Sequence, residues 1–272
     1  MQEQPIGFVG TGQMAVALAQ GFVRAGLYVP ERILGYDPDL AARQRFSAAV
    51  PGAALAEGNG DLVRQAGVVV LAVKPHHLPE VAAEVRRGLS GSQLVISVAA
   101  GVTLGRLEAM MGTPRVVRVM PNTPCLVGQG ASAYAMGPGT TDGDAAMVQA
   151  LLSAVGLAYP LEERYLDAVT GLSGSGPAFV YVLIEALSDG GVSAGLPRPI
   201  ASALAAQTVR GAAEMVLVLG EHPAVLKERV ASPGGTTMAG LQALEAHGLR
   251  AAAMAAVVAA ANRAREMGRE AQ

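Results

Sequence analysis

The chain has 272 residues, a formal net charge of −2, 51% hydrophobic residues and only 15% charged ones. That balance can bury a large core and excludes an intrinsically disordered chain. A charge near zero gives no broad electrostatic footprint for nucleic acid, and 4% aromatics without Trp argue against a base-stacking platform. At roughly 150 residues per domain, the length fits two domains or one large one. Mean hydropathy is +0.36, yet the longest Ala-rich run, Ala251–Ala261, is bounded by Arg250 and Arg263. A spanning helix needs about 20 apolar residues. The run therefore predicts a buried helix with close backbone contacts, such as one at a subunit interface. Met1–Pro5 has no basic region leading into an apolar one, so no secretory signal is expected. Cys125 is the only cysteine and permits no internal disulfide. The cytoplasm is the expected compartment.

In chain order, Ile6–Val9 reads as a strand and Gln13–Ala25 as the helix after it. Ile33–Tyr36 and the polar helix Leu40–Ala49 repeat the pattern, and Val68–Val73, Leu94–Val98 and Val116–Val119 are further apolar strands. Continuous apolar strands separated by helices predict a parallel sheet covered on both faces, in an open α/β domain with right-handed crossovers. After Tyr159-Pro160 only helical patterns appear: Asp167–Leu172, Ala178–Ser188, Ile200–Val218, Pro223–Arg229 and Leu249–Met267. Gly190-Gly191 and Gly195 are expected to break one helix, and Leu196-Pro197 to start another. The predicted organisation is an α/β dinucleotide-binding domain over residues 1–160 and an all-α domain over 161–272.

Gly10-Thr11-Gly12-Gln13-Met14-Ala15 forms G-x-G-x-x-A directly after a strand and at the start of a helix. Gly10 permits the tight turn, Gly12 lets backbone approach a pyrophosphate, and Ala15 lets helix and strand pack closely. The helix N-terminus supplies N–H donors and positive potential. Asp37 ends the second strand, where an acidic residue accepts from the adenosine ribose and repels a 2′-phosphate. It favours NADH over NADPH, unless it only begins the Asp-Pro turn. Arg43 and Arg45 lie nearby in sequence and complicate that preference.

Four more segments are distinctive: Ala72-Val73-Lys74-Pro75, Met120-Pro121-Asn122-Thr123-Pro124, Gly171-Leu172-Ser173-Gly174-Ser175-Gly176-Pro177 and Ser232-Pro233-Gly234-Gly235-Thr236-Thr237. With the glycine loop, in this order and over nearly the whole chain, the set closely resembles the pyrroline-5-carboxylate reductases. The resemblance implies a Rossmann-like domain followed by a helical dimerisation domain. It implies NAD(P)H-dependent hydride transfer to the C=N carbon of 1-pyrroline-5-carboxylate, giving L-proline. It also implies a homodimer that assembles further, as in a decamer.

Carried over residue by residue, cofactor contacts fall on Val9, Gly10, Thr11, Gly12, Gln13 and Met14, on Asn59, on Ala72, Val73, Lys74 and Pro75, and on Ala100. Substrate contacts fall on Glu163, Ser232, Gly234, Gly235, Thr236 and Thr237, with Glu163 and Thr237 as the catalytic candidates. The Ser232–Thr237 segment precedes the helical pattern Met238–Glu245. Its paired glycines expose backbone N–H groups, which suits a carboxylate. Glu163 is expected to stabilise the cationic ring nitrogen or retain its proton. The position of Asp37 is often a small hydroxyl residue in the family, so its acidity here again points to NADH. Arg229 stands where some relatives carry Asn near the cofactor, and an Arg there could recruit a phosphate, so both cofactors stay open.

No metal site is expected. His76-His77 look like the start of a surface helix, His222 before Pro223 is a weaker functional candidate, and His247 suits a helix C-terminus. Cys125 reads as a buried, inert thiol. The alternative is an NAD(P)-dependent β-hydroxyacid dehydrogenase, which shares the two-domain plan. That family resembles this chain except for a lysine in a G-x-x-x-N-x-x-K helix, and Gly176–Gly190 contains none.

Overall fold

The computed structural model describes residues 4–270. Ile6–Val9 (β1) is fully buried, and its alternate side chains enter two different cores. Gln13–Arg24 (α1) follows and places Ala15, Ala17, Leu18, Ala19 and Phe22 against the sheet. Ile33–Tyr36 (β2), Leu40–Ala49 (α2), the short Ala54–Leu55 (β3) and Asn59–Gln65 (α3) come next. Then follow Val68–Leu71 (β4), Leu78–Gly88 (α4), Leu94–Ser97 (β5) and Leu104–Met111 (α5). Val116–Met120 (β6), Gly130–Met136 (β7), Asp142–Ser153 (α6) and Gly156–Pro160 (β8) complete the sheet.

The sheet order is β3-β2-β1-β4-β5-β6-β7-β8. All pairs are parallel except β6 with β7. Helices α1, α2 and α6 bury one face, where Phe8, Phe22 and Phe46 meet with ring centroids 5.9–6.2 Å apart. Helices α3, α4 and α5 bury the other, where Leu62, Val63, Val85 and Leu107 are buried. The alternate side of β1 must be bare there, because a Cβ on Gly7 would collide with the Leu62 side chain. Chain order reverses across β1, which lies between β2 and β4. In such sheets, ligands bind beyond the carboxyl ends of the strands at that switch point.

The strands read from apolar runs are present within a residue or two. Strands β7 and β8 were not expected. Gly130–Met136 opens on four small residues, Gly130-Ala131-Ser132-Ala133, and its pairing with β6 follows an intervening 3₁₀ turn over Thr123–Val127. Leu166–Val169 (α7) runs into a π-helical turn, Thr170–Gly174, closed by Ser175 N donating to Thr170 O at 2.8 Å.

By packing, the chain forms two compact units. One comprises residues up to Ser175 together with Ala259 onward, and the other is Gly176–Val258. The boundary expected at 160/161 coincides with the end of β8. Packing moves it to Ser175, because Leu166 is fully buried among the sheet's side chains and Arg118 of β6 pairs with Asp167 at 2.9 Å.

The second unit contains Gly176–Ser193 (α8), Arg198–Leu219 (α9), Pro223–Val230 (α10), Thr236–Ala246 (α11) and the first part of Leu249–Glu270 (α12). Helix α8 runs straight through Gly190-Gly191. The expected break does not occur there, and the chain turns at Gly195, whose φ is +103°. Helix α9 has Pro197 as its N-cap and Pro199 in its first turn. Gly191 leaves room for Ala201 where α8 and α9 meet, and Ser188 Oγ lies 2.8 Å from Ser202 Oγ. Ala251–Met254, expected to be buried, are exposed on this single chain. No single helix among the described residues is long and apolar enough to cross a membrane.

Candidate active site

Gly10 takes a left-handed φ of +89°, and a Cβ there would meet Val73 Cγ1 at 2.9 Å and the Ala72 backbone at 3.0 Å. It is the turn that brings the loop against the end of β4. Gly12 is different: its φ of −70° is ordinary, and a Cβ there would meet nothing within 4 Å. The protein does not need a glycine there for its own packing. What the missing Cβ leaves is open space above the start of α1. Gly12 is also the helix N-cap, and no side chain caps the helix. The first-turn N–H groups are therefore available to an anion, with the helix dipole behind them. A dinucleotide pyrophosphate fits this cradle.

Two cavities flank the loop, each of about 450 Å³. Gly12, Ala72, Val73 and Lys74 line both. The first continues past Gln13, Met14, Pro75 and Ala100 to Met120, Pro121, Asn122 and Thr123. The second continues past Gly10 and Asp37 to Asn59 and Glu84. Of the residues expected at the cofactor, Gly10, Gly12, Gln13, Met14, Asp37, Asn59, Ala72, Val73, Lys74, Pro75 and Ala100 thus line one cavity or the other. Val9 and Thr11 line neither. Val9 is buried in the sheet, and Thr11 N is taken by Asp37 Oδ2 at 2.9 Å. Asp37 also accepts from Asp39 N at 3.0 Å, so it both shapes the turn and ties it to the glycine loop. Each of its oxygens keeps acceptor capacity beyond these bonds. Arg43 lies 5.9 Å over the Tyr36 ring, and Arg45 pairs with Asp39 at 3.6 Å.

The first cavity has a wall that sequence reading singled out without assigning it. Asn122 is buried; its Nδ2 donates to Ser173 O at 3.0 Å and its Oδ1 accepts from Ala131 N at 2.9 Å. It therefore joins the Met120–Pro124 segment to the π-turn and to β7. Gly174, from the π-turn, also lines the cavity, and a Cβ there would collide with Met120 Cε. Both signals lay in the distinctive segments, but the bond that joins them spans 51 residues.

Glu163 does not line either cavity. Its Oε1 accepts from Leu104 N at 2.7 Å, at the start of α5, and from Arg118 Nη1 at 3.0 Å. Arg118, almost fully buried, spends its other nitrogen on Asp167. These bonds tie β6, α5 and α7 together and leave Oε2 of Glu163 without a partner among the described residues.

In the second unit, Ser232, Gly234 and Gly235 lie in the turn into α11, and Thr236 and Thr237 are its first two residues. Gly234 has φ +67°, and a Cβ on Gly235 would collide with Ser232 Oγ. Gly235 is the N-cap, and again no side chain caps the helix. Gly234 and Gly235 line a cavity of about 690 Å³ with Lys227, Met238, Gln242 and Arg250. Arg229 is engaged bidentately by Glu221 at 2.6 and 2.8 Å, in a partly exposed ion pair. His222 caps α10 by accepting from Ala224 N at 3.2 Å. His247 Nδ1 lies 2.8 Å from Ala243 O at the end of α11. Burial pushes the Cys125 thiol up, as for an inert side chain. Among the described residues, no group of three His, Cys, Asp or Glu side chains is placed to hold a metal ion.

Comparison with known proteins fits this geometry. Residues 163–267 match the family model of pyrroline-5-carboxylate reductase dimerisation, and residues 5–101 match that of coenzyme F420-dependent NADP oxidoreductases. The pyrroline-5-carboxylate reductase of Glycine max is 48% identical over 263 residues, covering 96% of this chain and 95% of its own. The Plasmodium falciparum pyrroline carboxylate reductase with NADP bound superposes with a TM-score of 0.89 at 36% identity, covering 98% of this chain and 99% of its own. The Coxiella burnetii pyrroline-5-carboxylate reductase does so at 0.90 and 36%, with the same coverage.

Proposed function

The chain belongs to the pyrroline-5-carboxylate reductase family, and from that premise we propose how its residues divide the work. The reaction is NAD(P)H-dependent reduction of the C=N bond of 1-pyrroline-5-carboxylate to L-proline, the last step of proline synthesis. The cofactor, when bound, supplies the hydride. The Gly10–Met14 loop and the first turn of α1 hold its pyrophosphate. Asp37 and Asn59 serve the adenosine ribose. Ala72–Pro75, Ala100 and the Met120–Thr123 wall enclose the nicotinamide end.

The substrate carboxylate goes to the uncapped N-terminus of α11, held by Ser232, Gly234, Gly235, Thr236 and Thr237. The ring nitrogen can be protonated in water, which already makes the imine carbon electrophilic. The protein therefore needs no strong general acid; it must hold that carbon at attack distance, which can contribute roughly 7–11 kcal/mol. Thr237 is the catalytic candidate that meets the substrate. Glu163 acts as a positioning residue, through Arg118 and the start of α5. A β-hydroxyacid dehydrogenase, reducing a neutral ketone, would want the lysine that α8 lacks.

The observation that carries this assignment is that the family's Ser232–Thr237 segment forms a second uncapped, glycine-led helix start, with the same chemistry as the first. The test is Thr237→Ala. It should raise KM for the imine acid and lower kcat/KM while KM for NADH stays near its wild-type value. Unchanged kinetics in a folded variant would remove Thr237 from the site.

Asp37 supports NADH as the preferred cofactor. A homodimer is supported by the apolar surface of the second unit and by the match to the dimerisation model, and a decamer is the further assembly that the family resemblance implies. Helix α8 exposes Phe179, Tyr181 and Val182, and α12 exposes Met254 and Val258. Surface of that kind marks a protein interface. The cytoplasm is the compartment that this reading proposes.

A further inference from the structure

Asn59 opens α3 and is 94% buried, its relative exposure being 6%. Its Nδ2 donates to Glu84 Oε2 of α4 at 2.8 Å. Both residues line the second cavity, beside Asp37. A carboxylate only accepts hydrogen bonds, so the amide nitrogen must be the atom that faces it. Turning the amide over would set Asn59 Oδ1 against the Glu84 carboxylate, two acceptors facing each other. Glu84 therefore locks the amide and keeps one of its N–H groups away from any ligand.

The same cavity wall carries Asp39 and Glu80, against Lys74 and His77 as the basic groups. A 2′-phosphate brings about −1.5 to −2 charges near neutral pH. It would enter a wall with four carboxylates and want donors, one of which Glu84 has taken. A ribose with a free 2′-hydroxyl brings no such charge and can itself donate.

We propose that Glu84 is a specificity-determining residue: by holding Asn59 and adding its own charge, it makes the adenosine end select a nucleotide without a 2′-phosphate. This rests on the reading of that cavity as the adenosine end, and it adds to Asp37 a determinant from a different helix.

The test is calorimetric binding of ADP-ribose and of its 2′-phosphorylated form to wild type, Glu84→Gln and Glu80→Gln. Glutamine keeps the length of the side chain, drops the charge and lets the Asn59 amide turn. In Glu84→Gln, the Kd ratio of the phosphorylated to the plain ligand should fall about five-fold, as expected from removing one like charge across a solvated cavity, or further. Glu80→Gln, which removes a charge from the same helix and cavity, should shift the ratio less. An unchanged ratio in Glu84→Gln, with ADP-ribose still bound, overturns the inference and leaves the cavity assignment standing. Equal shifts in the two variants overturn the route through Asn59. Wild-type protein that reduces the imine but does not bind ADP-ribose overturns the cavity assignment and the inference together.

Discussion

Replacing Gly12 by Ala separates the cofactor cradle from the fold. The backbone there, φ −70° and ψ −172°, is open to any residue, and the new methyl would meet no protein atom within 4 Å. Folding should not suffer, and loss of unfolded-chain freedom can add about 0.4–1 kcal/mol of stability. The methyl instead enters the space above the first turn of α1. Displacing a pyrophosphate by its radius breaks at least one charge-assisted hydrogen bond, at about 1.5–3 kcal/mol each, so Kd should rise roughly 10- to 150-fold. Gly10→Ala provides the contrast. At φ +89° a side chain is strained by about 1–3 kcal/mol, and the Cβ contact at 2.9 Å with Val73 adds to it. Denaturant unfolding together with calorimetry of ADP-ribose reads both effects. Gly12→Ala should keep its stability and lose affinity, whereas Gly10→Ala should lose stability. If Gly12→Ala binds ADP-ribose as wild type does, the open space is not the pyrophosphate site.

Asp37→Ser should move the ratio of kcat/KM for NADPH over NADH upward, and should cost about 1 kcal/mol of stability for each lost bond to Thr11 N and Asp39 N; a fixed ratio would reduce Asp37 to a turn residue. Asn122→Ala leaves Ser173 O and Ala131 N without their partner, so stability should fall by about 2 kcal/mol or more and KM for NADH should rise. A stability loss with unchanged KM would make Asn122 structural only. For Asp144, burial raises the carboxyl pKa, but the bonds from Arg115 and Thr141 outweigh it and hold it below 3.8. A group depressed in the folded state stabilises above its unfolded pKa, and that contribution is lost as pH falls through the folded value. Asp144→Asn should therefore cost about 2 kcal/mol at neutral pH, by loss of a charge-assisted bond to Arg115 at 2.6 Å, and the gap from wild type should close below pH 3.8. A gap that persists in acid would refute the linkage.

Local chemistry made much of this molecule legible before its structure. The glycine loop, the apolar parallel strands and the helix starts at Pro223 and Leu249 each declare themselves within a few residues. What escaped depends on distant partners. Gly130–Met136 looks unremarkable until it pairs with β6. Glu163 at a helix start suits an active-site acid, but its partner Arg118 lies 45 residues earlier, and no local pattern announces that bond. The packing boundary moves to Ser175, and the end of α12 joins the first unit, through contacts that no local pattern encodes. The distinctive segments supplied residues that line one cavity beside the glycine loop, while the Asn122 bridge that joins two of them became visible only in three dimensions.

The central claim is imine reduction, and the most direct measurement follows NADH and NADPH oxidation by the purified protein with 1-pyrroline-5-carboxylate, identifying the product. A 3-hydroxy acid with oxidised cofactor is run in parallel. Imine-dependent loss of the reduced cofactor, with L-proline formed in equal amount and NADH the better donor, is the predicted result. Silence with the imine alongside oxidation of the hydroxy acid would contradict the account, leaving the dinucleotide cleft correctly read and the Ser232–Thr237 cradle misassigned.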